Sequence, residues 1–291
     1  MKRLKGFAAI LTAALALAAG TLFAQAQETQ GQASPDAPSP DATINEMVPP
    51  PPPLPPEAMV LSVQCAVPPH EIAAPAPLPT TVTKLQAGKK LRILAMGNAA
   101  VQSPDRKAGR SSDSSQFASL LGKVLKDVKI DVINRGVSGE TVATSAQRLL
   151  SEAALTRPDL VLWQLGTSEA VLRVPVEQFV DTVRNTVRKL RDNNIDVVLV
   201  GLQYTPQFAR DEHYFAMRKA LHELAVSEQL VHVRRYHVME FIARTKASMH
   251  VKPDTEFSMD ELGPQCMAEH VAQALIANIF LRRTRKPGGK S

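Results

Sequence analysis

From residue 91 onward, short apolar runs alternate with stretches of helical spacing. Leu91–Met96, Ile130–Ile133, Leu160–Leu165, Val197–Leu202 and Leu230–Val233 read as five strands. Near-continuous Val/Leu/Ile runs such as Val197–Val200 suit strands covered on both faces. Between the strands, Gln116–Lys126, Val142–Ala154, Val176–Asn193 and Asp211–Ser227 carry helical periodicity. In the third of these, Phe179, Val180, Val183, Val187 and Leu190 share one face. A final helix is expected from about Pro264, a favoured first-turn residue, through Ala274-Leu275-Ile276-Ala277 to Leu281. Strand and helix in this order predict βαβ units. The fold expected is a three-layer α/β/α domain on a five-stranded, mainly parallel sheet. No internal repeat is visible.

The first 88 residues follow a different pattern. Residues 1–26 read as a secretory signal peptide, with basic Lys2, Arg3 and Lys5, an Ala/Leu-rich core from Gly6 to Phe23, and Ala24-Gln25-Ala26 as cleavage site. The alternative is an uncleaved anchor, because the apolar stretch approaches the roughly 18 residues needed to span a bilayer. Residues 27–88 are expected to be a disordered, proline-rich linker. Fifteen of the chain's 22 prolines lie between Pro35 and Pro79. Proline fixes φ and removes an amide donor, which favours an extended, semi-rigid spacer; a ligand for a proline-binding module is the rival reading. Residues 89–283 then form the domain and 284–291 a basic tail.

Charge changes the picture little. The formal net charge is +6, but Lys2, Arg3 and Lys5 leave with the signal, and Arg282, Arg283, Arg285, Lys286 and Lys290 crowd the last ten residues. Without those eight cations the remainder carries about −2. Export and this distribution argue against nucleic acid as a partner and place the protein in the periplasm or outside the cell. In that oxidising setting the two cysteines, Cys65 and Cys266, are expected to form one intramolecular disulfide; two unpaired thiols are the alternative. The seven histidines form no metal-ligand pair at a useful spacing, so no metal or other cofactor is assigned. Trp163 is expected in the core.

Four segments carry chemical information. They are Leu91-Arg-Ile-Leu-Ala-Met-Gly97-Asn-Ala-Ala100, Ile133-Asn-Arg-Gly-Val-Ser-Gly139-Glu-Thr141, Leu160-Val-Leu-Trp-Gln-Leu-Gly166-Thr-Ser-Glu169 and Met259-Asp260-Glu-Leu-Gly263-Pro264. In order and position they resemble the four blocks of the SGNH (GDSL-type) hydrolases, over about 190 residues from Leu91 to the last helix. The resemblance implies an SGNH-hydrolase or flavodoxin-like sheet with its site at the strands' carboxyl ends, where Asn98, Gly139, Ser168 and Asp260–Gly263 all map.

The same resemblance implies a damaged site. The family's Gly-Asp-Ser reads Gly97-Asn98-Ala99, its Gly-x-Asn-Asp reads Gly166-Thr167-Ser168-Glu169, and its Asp-x-x-His-Pro keeps Asp260 and Pro264 around Gly263. Gly139 of the second block is kept. Ala99 has no lone pair for a carbonyl carbon, and Gly263 can neither take nor return a proton. Reducing the oxyanion-hole asparagine to Ser168 matters too, since losing one such donor costs roughly 3–4 kcal/mol. Ser103, Ser111, Ser112, Ser114 and Ser115 follow the first strand as candidate displaced nucleophiles, though a polar loop accounts for them. His250 and His270 lie nearest the vacant base position; His270 reads as a helix residue, and His213, His222, His232 and His237 as surface or packing residues.

Three functions are compatible with this reading. One is a non-catalytic domain binding a cell-envelope carbohydrate, acyl group or protein; another is an ester or acyl hydrolase with a rewired site; the third is a structural envelope module.

Overall fold

The expected apolar runs become five parallel strands, fully buried over Leu160–Gln164, Asp196–Val200 and Val231–Val233 and only partly buried in the edge strand Lys129–Asn134. In a computed structural model of the chain, the described residues are 59–87, 90–97, 113–126, 128–248 and 259–280. The strands are β1 (Lys90–Gly97), β2 (Lys129–Asn134), β3 (Leu160–Gln164), β4 (Asp196–Val200) and β5 (Val231–Val233), in the order β2-β1-β3-β4-β5 with every pairing parallel. All five residues of β3 and of β4 are buried. The register aligns Gly97 with Gln164 and Gln164 with Val200, so the strands end together at one edge.

Helices cover both faces. Leu94, Met96, Trp163 and Leu199 point into a core shared with α4 (Val142–Thr156), α5 (Thr167–Val171), α6 (Val176–Asp192) and α7 (Glu212–Ser227). Ile93, Ala95, Leu162, Val198 and Val233 point the other way, into a core with α3 (Asp113–Val124), α8 (Arg235–Ser248) and α9 (Met259–Ile279). Alternation of side chains along each strand divides the two cores. Trp163 lies fully buried in the first, and α6 buries Phe179, Val183, Val187 and Leu190 along its expected face. The three-layer α/β/α architecture is the one the sequence predicts.

Three expectations are corrected. Residues 59–87 do not behave as a linker: they form a strap carrying α1 (Pro69–Ile72) and α2 (Pro79–Ala87). Cys65, Ile72 and Leu78 are buried in the second core. The backbone is held too. Arg234 donates its N–H to the carbonyl of Ile72 at 2.9 Å, Ala76 donates to Asn278 Oδ1 at 2.7 Å, and Thr81 to Asp196 Oδ2 at 2.7 Å. The prolines leave Val67, Ile72, Ala76 and Leu78 free to fill gaps against the sheet, and that burial outweighs the spacer character of the segment. Residues 27–58 lie outside the described residues.

The last helix starts at Met259, so Pro264 lies inside it and Asp260 and Gly263 belong to its opening turns. A proline this near the start removes only the bond to the carbonyl of Asp260. The third difference is α8, which the sequence reading leaves without an element; it buries Tyr236, Val238, Met239 and Ile242. Cys65 and Cys266 are joined by a disulfide with Cα atoms 5.1 Å apart, as expected, pinning the strap to α9.

Candidate functional site

Glycine geometry shapes the carboxyl edge of the sheet. Gly97 closes β1 with φ +107°, and a Cβ there would fall 1.8 Å from the carbonyl oxygen of Gln164. β1 and β3 therefore meet at a distance that no other residue permits. The segment after β2 folds onto this junction: Arg135 donates its N–H to Ala95 at 2.8 Å, and Val137 donates to Gly97 at 2.9 Å. Arg148 of α4 holds the same segment. Its Nε reaches Glu140 Oε1 at 2.8 Å, and its Nη1 donates to the carbonyl of Arg135 at 2.7 Å. Gly139 crowns the turn with φ +73° and open space where a Cβ would point.

From the other side, β3 runs into Gly166, whose φ of +96° and contact with Leu202 also favour glycine. The chain then enters α5, which presents Thr167, Ser168 and Glu169 in succession. Thr167 Oγ1 accepts the N–H of Gln203 at 2.9 Å, and Tyr214 donates its hydroxyl to the carbonyl of Gln203 at 2.6 Å, which ties the end of β4 to the site. Ser168 is partly exposed. Its hydroxyl has no hydrogen-bond partner among the described residues.

Glu169 is the residue that sequence reasoning missed. It is buried, and its carboxylate accepts two backbone N–H groups, from Val142 at the start of α4 and from Gly166 at 2.8 Å. One side chain thereby joins the segment after Gly139 to the turn before Ser168. Burial raises its pKa, while its own backbone amide and those of Val142 and Gly166 pull against that rise. A glutamate in the first turn of a helix, three residues after the capping Gly166, is a sequence signal for the local half of this clamp, the bond to the Gly166 amide.

The remaining candidates divide. Gly139 and Ser168 come to the same sheet edge as Gly97. Asn98 and Ala99 lie outside the described residues, as do Ser103, Ser111, Ser112 and His250. Ser114 and Ser115 belong to α3, within Asp113–Val124. Asp260 is in the first turn of α9. Gly263 is buried, and an added Cβ meets nothing within 4 Å among the described residues beyond its own chain neighbours. His270 is not a base for this edge: it is fully buried, its Nε2 lies 2.8 Å from the carbonyl of Cys65, and burial lowers its pKa. Among the described residues no group of three His, Cys, Asp or Glu side chains is placed to hold a metal ion.

Gly97 at the end of β1, Gly139 in the turn after β2 and Gly166 just past β3 all have positive φ at the carboxyl edge of the parallel sheet, and the Ser168-bearing α5 opens beside them, the arrangement expected of an SGNH-type fold. The chain belongs to the non-GDSL lipase-like family, whose model matches residues 64–280, strap included. It is 24% identical over 201 residues to an arylesterase of Vibrio mimicus, covering 67% of this chain and 92% of that protein. It is 31% identical over 99 residues to esterase TesA of Pseudomonas aeruginosa, covering 33% of this chain and 49% of that protein. Among solved structures, a two-domain esterase active on acetylated mannans superposes with a TM-score of 0.58 at 16% identity, covering 77% of this chain and 59% of that one. The crystal structure of TesA gives a TM-score of 0.46 at 20% identity over 65% of this chain and 97% of that one. These likenesses concern the fold.

Proposed function

We propose that the protein is an exported, catalytically silent member of its family that keeps the strand-end edge as a binding surface for a cell-envelope carbohydrate, acyl group or protein. The observation carrying this reading is the pair Ala99 and Gly263 at the positions of nucleophile and base. Neither residue can perform its step, and no single relocated group replaces both. The backbone frame around the edge supports retention of a ligand: Gly97, Gly139 and Gly166 keep their special geometry, and Glu169 and Arg148 brace the two segments that flank it. A frame kept without its reactive groups suits recognition. No helix among the described residues is long and apolar enough to cross a membrane.

The second reading, an ester or acyl hydrolase with a rewired site, is favoured by the names of the two esterase relatives. The test is turnover of short acyl esters by the protein lacking its first 26 residues, with and without a serine-directed phosphonate. The expected result is no turnover above a denatured control. Hydrolysis abolished by the phosphonate, with label in residues 103–115, would establish the rewired enzyme instead. Ala99→Ser alone is expected to stay silent, because an unassisted serine hydroxyl is a weak nucleophile. The triple change Ala99→Ser, Ser168→Asn and Gly263→His is the combination expected to gain weak activity, with Asp260 left to orient the new imidazole.

A further inference from the structure

A second concave region lies on the β5 side of the sheet, lined by neither Gly97, Gly139 nor Ser168. It is a cavity of about 270 Å³ between α7, the end of β4 and the start of α8. A neighbouring cavity of about 300 Å³ under strap residues 74–77 shares His222, His232 and Arg234 with it. The lining of the first is basic and contains no carboxylate: Arg218, Lys219 and His222 come from α7, Arg234 follows β5, and Arg235 opens α8.

Charge balance around it is incomplete. Arg234 faces Glu71 at 3.6 Å, which also pairs with His237, and Lys219 lies 3.7 Å from the exposed Glu223. Arg218 has no carboxylate partner among the described residues. Its guanidinium instead stacks 3.5 Å from the ring centroid of Tyr236, which holds it in place at the cavity wall. Arg234 donates from Nη2 to the carbonyl of His70 and leaves its Nε buried without a hydrogen bond. At the floor sits His232, 6% exposed, with neither ring nitrogen partnered among the described residues. Gly201 makes this placement possible, since a Cβ there would fall 2.8 Å from His232 Nε2. Burial, followed by the charges of His222 and Arg234, lowers the His232 pKa to about 3, so the ring is neutral.

Buried polar groups are ordinarily hydrogen-bonded, and a fixed cation beside an acid-free cavity ordinarily answers to an anion. We propose that this cavity binds a phosphate group, held by Arg218, Arg234 and Lys219 with the His232 imidazole behind it. A tetrahedral dianion offers three oxygens to cations arriving from two directions, where a carboxylate offers two in one plane. The volume suits a phosphate group with few atoms attached, and apolar Leu202 and Phe215 in the wall suit a carbon chain beyond it. The same chemistry is presented by a small phosphate monoester and by a phosphatidic acid headgroup.

Calorimetric titration of the full chain with inorganic phosphate, at constant ionic strength, tests the site. Co-sedimentation with phosphatidylcholine vesicles, with and without phosphatidic acid, distinguishes the two sources. Saturable phosphate binding, weakened about tenfold or more in Arg218→Gln as expected for one charge-assisted contact, is the result expected. His232→Leu should melt no lower than the unmodified protein, because both ring nitrogens lack partners, and should bind phosphate more weakly. Phosphate-competed sedimentation only with phosphatidic acid would assign the headgroup; binding of free phosphate without vesicle uptake would assign a soluble monoester. No saturable heat and no phosphatidic-acid dependence would overturn the proposal, as would undiminished binding by Arg218→Gln. Esterase activity or its absence has no bearing on either outcome.

Discussion

The carboxylate of Glu169 caps the first amide of α4, that of Val142, across 27 residues of sequence while its other oxygen holds Gly166. Removing it leaves two buried N–H donors unsatisfied, and each such donor costs about 1–3 kcal/mol. Glu169→Ala is therefore expected to lower unfolding stability by about 3 kcal/mol in urea denaturation, and Glu169→Gln, which keeps one acceptor, by less. A pH signature follows as well. The folded pKa lies above the ordinary 4.5, so this group's contribution is present below pH 4.5 and declines as pH rises through the folded value. Glu169→Gln should abolish that slope. Unchanged stability in the alanine variant would contradict the clamp.

Gly97 offers the sharpest steric test. Alanine there would have to sit 1.8 Å from a backbone oxygen at φ +107°, so β1 and β3 must part. Gly97→Ala is expected to cost about 3 kcal/mol or more, read by denaturation or by loss of soluble protein. Gly139→Ala, at φ +73° and with no described atom within 4 Å of the new Cβ, should cost only about 1 kcal/mol.

Gly263 should respond in the opposite direction. It lies in α9, without positive φ, and an added Cβ meets nothing within 4 Å among the described residues beyond its chain neighbours. Gly263→Ala is expected to stabilise by up to about 0.5 kcal/mol, because the usual advantage of alanine in a helix is partly offset by the crowding of a Cβ against the following Pro264. A loss of stability would mean that the space beside Gly263 is filled, and would remove the premise for placing histidine there.

The disulfide of Cys65 and Cys266 encloses a separation of 201 residues. Loop-closure entropy assigns such a link about 5 kcal/mol, an upper figure. Cys65→Ser with Cys266→Ser should lose about 2–5 kcal/mol and free the strap first, visible as faster amide exchange at Ala76 and Thr81. Two thiols alkylated without prior reduction in periplasmically expressed protein would rule out the bond in solution.

Asp211 caps α7 through the N–H of Tyr214 at 2.8 Å and forms a two-pronged ion pair with Arg173. The Arg173 bond first, then the cap, lowers its pKa from 3.8 to about 2. Its contribution is therefore present above pH 3.8 and lost as pH falls toward 2. In Arg173→Gln a carbon-detected titration should place the Asp211 midpoint closer to 3.8. An unmoved midpoint would exclude Arg173 as the main cause.

Legibility from sequence followed the physical source of each element. Burial on both faces leaves an unmistakable run, as in Val197-Val198-Leu199-Val200, and a single apolar face is as plain in α6. Helix α8 was hidden because Arg235 is buried beside Tyr236, so polar and apolar positions do not separate into faces. The strap was hidden by its own prolines: composition argued for a spacer, while a few apolar residues between them found a core. Pro264 marked a helix start by general preference and lies inside one. Among the site residues, block spacing brought out Gly139 and Ser168, but Glu169 acts on Val142, and no local pattern announces which distant amide a carboxylate will reach.

The bond between strap and last helix makes the intervening chain a covalent ring, with Cys266 near its far end. A protease that cuts anywhere between residues 65 and 266 would open that ring without releasing either piece. Nicked and intact protein would then have almost equal mass until a reductant is added. A protein built this way can lose a peptide bond in an exposed loop and still hold its sheet together.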